Sequence, residues 1–340
     1  MAYSRAILGC TGLRLTREER ALYRAARPWG FILFARNIQS AAQVTNLTQE
    51  LRESIDDPDA LVFIDQEGGR VQRLRPPLAR QRKPARAFGM LYQKDAEAGR
   101  EAVFLNHRLI AHELLPLGID ADCAPCLDVL QAETHAVIGD RAFANAPEVV
   151  AALGRAAIDG LLAGGVAPVV KHAPGHGHAA ADSHLTLPVV HADLEALDAC
   201  DFAPFRALND APMAMTAHVI YEQIDTRACA TLSPATIHEV IRDSIGFDGL
   251  LMSDDLSMKA LKGPFAERTR AALDAGCDVV LHCNGDLGEM KAVAAGLNEL
   301  DGRCLERADA ARAAARRPQP FDAAAAEARL AEWGLQGASG

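Results

Sequence analysis

Aromatic residues make up only 5% of this 340-residue chain, and its 35 lysines and arginines are outnumbered by 45 aspartates and glutamates, for a formal net charge of −10. No stripe of basic residues interleaved with aromatics occurs, which argues against nucleic acid as the main partner. The one basic segment, Arg70–Arg86, also reads as a solvated loop. No run reaches the roughly 18 apolar residues needed to span a bilayer. The opening MAYSRAILGCTGLRL has neither an h-region of signal-peptide length nor a small-residue cleavage site. A cytoplasmic protein without a membrane partner is therefore expected. The eight cysteines are irregularly spaced, which points to reduced thiols rather than a disulfide framework. Cys123-Ala-Pro-Cys126 matches C-x-x-C, but no second pair stands at metal-ligand spacing. No G-x-G-x-x-G follows the first apolar run, which weakens a dinucleotide site.

What the chain does contain is ample core-forming material, with 49% hydrophobic against 24% charged residues. Short β-rich apolar runs alternate with longer amphipathic stretches. The predicted strands are 6–10, 30–34, 61–65, 119–124, 166–172, 212–218, 249–254 and 277–283. The predicted helices are 16–26, 41–55, 94–115, 147–163, 193–208, 234–244, 264–275 and 287–297. Thr16 followed by Glu18 and Glu19, and Ser233-Pro234, are helix-start signals. Serial βα units with continuously apolar strands imply a parallel sheet covered by helices, either a closed eight-stranded barrel or an open doubly wound sheet. Asp65, Asp122, Lys171 with His172, His218, Asp254 and Asn284 fall at the C-terminal ends of different strands, and only a barrel gathers such ends into one ring. The expected fold is a single-domain (β/α)8 TIM barrel over residues 1–340, with 303–340 as a peripheral helical tail. The stretches 66–88 and 171–188 are too long for ordinary βα connections and are expected on the catalytic face.

Three constellations carry chemistry. Residues 171–188, KHAPGHGHAAADSHLTLP, hold four of the eleven histidines directly after an apolar run, with Pro174, Gly175 and Gly177 excluding an immediate helix. His176-Gly177-His178 could be a metal pair, but no third ligand stands at recognisable spacing. In Asp182-Ser183-His184 the carboxylate can fold back onto the imidazole, fixing its tautomer and making an acid/base dyad; the alternative is a surface histidine beside an incidental aspartate. Second, Ser253-Asp254-Asp255-Leu256-Ser257-Met258 ends an apolar run. Consecutive residues point different ways, so at most one carboxylate faces the barrel axis. Asp254 suits nucleophilic attack or charge stabilisation, the alternative being a helix cap. Third, Asp65-Gln66-Glu67-Gly68-Gly69-Arg70-Val71-Gln72-Arg73 sets two acids and two arginines around a Gly-Gly turn, suited to a polyhydroxylated ligand.

Taken together in this order, KHAPGHG…DSH, SDDLSM and DQEGGRVQR, with GFILFARN (30–37), VIGDRAF (137–143) and MTAHVIY (215–221), resemble the glycoside hydrolase family 3 β-N-acetylglucosaminidases over roughly residues 5–300. The resemblance implies a (β/α)8 barrel without metal or organic cofactor. It further implies Asp254 as the nucleophile of a covalent glycosyl-enzyme, and His184 paired with Asp182 as the proton donor and acceptor. Asp65, Arg73, Arg141, Lys171 and His172 would bind the sugar. Many relatives carry the acid/base on a second domain, for which this chain is too short; the expectation is the single-domain branch. The implied reaction is retaining exo-hydrolysis of terminal GlcNAc from muropeptides (GlcNAc-1,6-anhydroMurNAc-peptides) in bacterial peptidoglycan recycling. Phosphorolysis, β-glucosidase action, a metal-dependent hydrolase and a non-catalytic sugar-binding barrel are the alternatives. Ala173 stands where the family usually has Phe, and Asp140 where many members have Glu. Oligomeric state is not legible.

Overall fold

The structure, a computed structural model, describes residues 2–132, 134–181, 187–315 and 317–338. Eight parallel strands close into a barrel: β1 (Ser4–Leu8), β2 (Pro28–Leu33), β3 (Leu61–Ile64), β4 (Ala121–Asp122), β5 (Ala167–Ala173), β6 (Met213–Thr216), β7 (Leu250–Asp255) and β8 (Val279–His282). They follow one another around the ring in chain order, and β8 returns to β1 with Ala6 opposite Val280. The open-sheet alternative is thereby eliminated.

The two-residue period of a strand sorts its side chains into two cores. Leu61 and Phe63 on β3, Ala167 and Val169 on β5, Met213 and Met215 on β6, Leu250 and Met252 on β7, and Val279 and Leu281 on β8 fill the barrel interior. The intervening Val62, Ile64, Val170, Ala214, Leu251 and Val280 pack outward against the helices. From one end Leu300, Ala308 and Ala311 join the interior cluster. At the C-terminal strand ends, where a barrel carries its chemistry, the inward series meets a cavity.

The outer layer is formed by α1 (Arg17–Ala26), α2 (Ala41–Ser54), α3 (Ala85–Tyr92), α4 (Ala96–Leu114), α5 (Pro147–Ala163), α6 (Leu194–Ala199), α7 (Ala203–Ala207), α8 (Phe265–Ala275), α9 (Leu287–Ala294), α10 (Gly302–Ala314) and α11 (Ala323–Glu332). The Thr16 signal makes a full capping box: its hydroxyl accepts from the Glu19 amide at 3.1 Å, and the Glu19 carboxylate accepts from the Thr16 amide at 2.8 Å. Three expectations are corrected. The single helix 193–208 is two short ones, because Pro204 has no amide to continue a helix from α6. Residues Thr236–Ser244 wind as a π-helix rather than an α-helix, with Ser233 Oγ accepting from the Thr236 amide at 3.2 Å. The stretch 66–88 is not simply a loop, since it contains an antiparallel ribbon (Gln66–Gly68 with Val71–Gln72) and the start of α3. The ribbon turns at Gly68 and Gly69, whose φ of 97° and 57° favour glycine.

Arg82 joins this stretch to α4 and α11. Its side chain is fully buried, 2.5 Å from Glu113 and 2.7 Å from Glu327. Removing one member of a buried ionic group leaves its partners desolvated and unpaired. Arg82→Ala is expected to cost about 3–5 kcal/mol of unfolding free energy, read from the urea midpoint; a cost under about 0.5 kcal/mol, the range of a neutral surface change, would contradict the clamp.

Candidate active site

Where three inward series reach the open end of the barrel, their next members are charged. Asp65 continues Leu61 and Phe63, Lys171 continues Ala167 and Val169, and Asp254 continues Leu250 and Met252. All three line one cavity of about 530 Å³, together with Phe34, Arg70, Arg73, Arg141, His172, His176, Met215, Met258 and Cys283.

A buried ionic network forms one wall. Lys171 Nζ lies 3.0 Å from Asp65 Oδ1 and 2.6 Å from Glu67 Oε1. Arg73 reaches the other oxygen of Asp65 at 2.8 Å, while its guanidinium carbon sits 4.9 Å from the centre of the Phe34 ring. Arg141 grips Glu67 with both arms of its fork, each at 2.8 Å. Burial pulls the carboxyls upward, but the cations outweigh it. Lys171 and Arg73 hold Asp65 well below the usual carboxylate range, and Arg141 with Lys171 brings Glu67 down to about 2. Burial by itself would lower Lys171, yet Asp65 and Glu67 hold it above the usual lysine value. Three cations thus face two carboxylates, and the site keeps fixed charges through the whole neutral range.

The neighbouring wall is organised by Asp128. Its Oδ2 lies 2.7 Å from His172 Nδ1, and its Oδ1 accepts from the His172 and His176 amides at 3.2 and 2.8 Å. With His172 Nδ1–H donating to Asp128, Nε2 is left facing Arg141 at 3.5 Å. The two rings of His172 and His176 meet edge to face at 5.9 Å between centroids. Burial pushes His176 down to about 4, which keeps it neutral near pH 7.

Asp254 and Asp255 divide as their alternation requires. Asp255 accepts from the Ser257 and Cys283 amides at 2.9 and 3.0 Å and from the Ser257 hydroxyl, so it shapes the turn after β7. Asp254 has its amide near Thr216 Oγ1 at 3.3 Å and accepts from the Asp255 amide at 2.7 Å.

Six of the expected site residues, Asp65, Arg73, Arg141, Lys171, His172 and Asp254, therefore share the cavity. His184 and Asp182 lie outside the described residues. Three other strand-end residues do not line it. Asp122 is outward by parity and buried, accepting from the Gln66 amide at 2.9 Å; desolvation pushes its carboxyl up to about 8. His218 is held between Thr231 and the Asp255 carbonyl, and Asn284 bonds to Glu289. The pair His176-Gly177-His178 is also split, since His176 meets Asp128 whereas His178 Nδ1 meets Asp201. Sequence reasoning missed Asp128, whose signal was a lone acid after the apolar run Cys123–Leu127. It also left Glu67 without a role of its own. Asp140 pairs with Arg70 at 3.0 Å, and the Arg70 guanidinium donates to the Ala136 and Val137 carbonyls at 2.7 and 2.6 Å.

Comparison with known proteins agrees with this geometry. Residues 8–316 match the family model of the glycosyl hydrolase family 3 N terminal domain. A beta-hexosaminidase of Alkalilimnicola ehrlichii is 44% identical over 282 residues, covering 82% of this chain and 80% of the relative. The crystal structure of native NagZ from Neisseria gonorrhoeae superposes with a TM-score of 0.84 at 34% identity, covering 97% of this chain and 94% of that one. The same Neisseria enzyme in complex with N-trifluoroacetyl-D-glucosamine matches equally well, with a TM-score of 0.84 at 34% identity over the same shares of both chains. The chain belongs to glycoside hydrolase family 3, within which it is a β-N-acetylhexosaminidase.

Proposed function

We propose that this enzyme is a retaining exo-β-N-acetylglucosaminidase that releases terminal non-reducing GlcNAc from muropeptides (GlcNAc-1,6-anhydroMurNAc-peptides), in the cytoplasm, as part of cell-wall recycling. The observation that carries the reading is the convergence of Asp254 with the Asp65–Lys171–Glu67–Arg141 network on one cavity of about 530 Å³, a size suited to a small ligand. The sugar analogue bound by the Neisseria relative supports the substrate class. The whole chain acts as one barrel, with 303–340 contributing outside the site.

In this mechanism the ionised Asp65 accepts hydrogen bonds from sugar hydroxyls, while Arg73, Arg141 and Lys171 supply donors. Their mutual ion pairs hold each at a fixed position before substrate arrives, so little reorganisation accompanies binding. His172, oriented by Asp128, offers Nε2 to the sugar. Asp254 attacks the anomeric carbon and forms a new C–O bond as the bond to the aglycone breaks. His184, tuned by Asp182, gives its proton to the departing oxygen. The same imidazole then takes a proton from water, which displaces Asp254 and restores the β configuration.

Asp254→Asn is expected to lower turnover of an aryl β-GlcNAc on the order of 10⁴-fold with the fold intact by circular dichroism. His184→Ala is expected to slow poor leaving groups by roughly 10²–10⁴-fold and activated ones much less; equal losses across leaving groups would remove His184 from the acid role. Product analysis with and without inorganic phosphate separates hydrolysis from phosphorolysis, GlcNAc alone being expected in both. An aryl glucoside run alongside is expected to be the poorer substrate.

The network also predicts a pH dependence. Glu67 is held at about 2, below an ordinary glutamate, so its contribution is fully present above the unfolded value and is lost as pH falls toward 2. Lys171→Met is therefore expected to lower the melting temperature clearly at pH 7. The gap to the parent should narrow steadily from about pH 5 downward. A gap independent of pH would mean that Lys171 contributes packing alone.

A further inference from the structure

Outside the catalytic cavity, a second group of donors gathers where the segment following β5 meets the corner between α6 and α7. One ligand atom each from His178, Cys200 and Asp201 lie within 4.8 Å of one another. We propose that these three residues form a binding site for a zinc ion or a similar borderline-soft divalent cation, separate from the sugar site.

The donor set is an imidazole nitrogen, a thiol sulfur and a carboxylate oxygen. Hard cations such as magnesium and calcium prefer oxygen alone, whereas zinc accepts all three types. Zinc bonds of about 2.0–2.3 Å at tetrahedral angles place donors roughly 3.3–3.8 Å apart, a spacing that small side-chain rotations reach from the present cluster. A hydrogen bond joins His178 Nδ1 to Asp201, and the Cys200 thiol lies beside that pair. Cys200 and Asp201 are consecutive and would point apart in an extended chain. Here Cys200 caps the end of α6 with φ −115° and ψ −72°, and that bend brings its sulfur to the same place as the Asp201 carboxylate.

The backbone is also fixed in advance. Asp201 Oδ1 accepts from the His178 amide at 3.3 Å, and Asp201 is only 1% exposed. A side chain at Gly175 would collide with Asp201, with a Cβ only 2.6 Å from the aspartate's own Cβ. Close packing therefore seats the segment directly on the carboxylate. His178 and Cys200 are each only partly buried. The Gln131 amide nitrogen lies 3.0 Å from Cys200 Sγ. Turned over about its last bond, the amide presents Oε1 there as a fourth donor. Coordination by Cys200 would be through its thiolate, the form in which cysteine ligates zinc.

The test uses the full chain, stripped with chelator and titrated with cobalt(II). One equivalent is expected to produce the near-ultraviolet charge-transfer absorption of a cobalt–thiolate bond, and zinc should abolish it by displacement. Cys200→Ala should lose the band, and His178→Ala should weaken cobalt binding by about tenfold or more. Zinc should raise the melting temperature of the parent more than that of Cys200→Ala. Absence of the band in the parent would overturn the proposal. So would a band that persists in Cys200→Ala and disappears in Cys126→Ala, which would place the metal on Cys126, Asp128 and His172 instead.

Discussion

An ammonium group with almost no access to water sits at the centre of this enzyme. Lys171 is 2% exposed, and a cation so placed is tolerable only if carboxylates meet it at hydrogen-bond distance. Asp65 comes from the end of β3 and Glu67 from the ribbon that follows it. Glu67 in turn requires Arg141, and Asp65 requires Arg73, so one buried charge recruits four residues from three segments. The barrel must close with β3 and β5 in their observed order around β4 for any of these pairs to form. The desolvation cost is offset by the network as a whole and by none of its pairs alone. The return is a wall of fixed dipoles and charges, which is what a site that binds hydroxyls and develops charge at a sugar ring calls for.

A second buried carboxylate works on the backbone as much as on a side chain. Asp128 receives one amide from the end of β5, one from the segment leaving it and also the His172 ring, so it sets both the path of the chain and the tautomer of the histidine. Asp201 repeats the device one step further along, taking the His178 amide and ring. Between them Tyr221 donates its hydroxyl to the Gly175 carbonyl, and Thr134 donates to the Gly177 carbonyl at 2.5 Å. Residues 175–179 are thus pinned through their backbone polar groups, which suits a glycine-rich stretch with few side chains to pack.

Much of the fold was legible because barrel strands obey a short period. The apolar runs placed all eight strands, and Thr16 with Glu19 marked the start of α1. Failures came where local signals yielded to the surroundings. Pro204 split a stretch that looked continuous, and the charged 66–88 segment concealed a ribbon whose order depends on Gln66 Oε1 accepting from the Arg73 and Leu74 amides.

Position at the strand ends determined that Asp65, Lys171 and Asp254 meet at one end of the barrel, but it grouped Asp122 with them, and only the folded ring turns Asp122 away from the cavity and onto the Gln66 amide. Family 3 membership was equally open to reading from ordered motifs. Partnership was not. Asp128 and His172 are 44 positions apart, Arg141 and Glu67 are 74 apart, and Lys171 and Asp65 are 106 apart. The same holds for His178 and Asp201, 23 positions apart on opposite sides of a bend. Which acid meets which base depends on closure of the ring and on the path of its loops, because ionic contacts act over a few ångströms in space and carry no periodic trace along the chain.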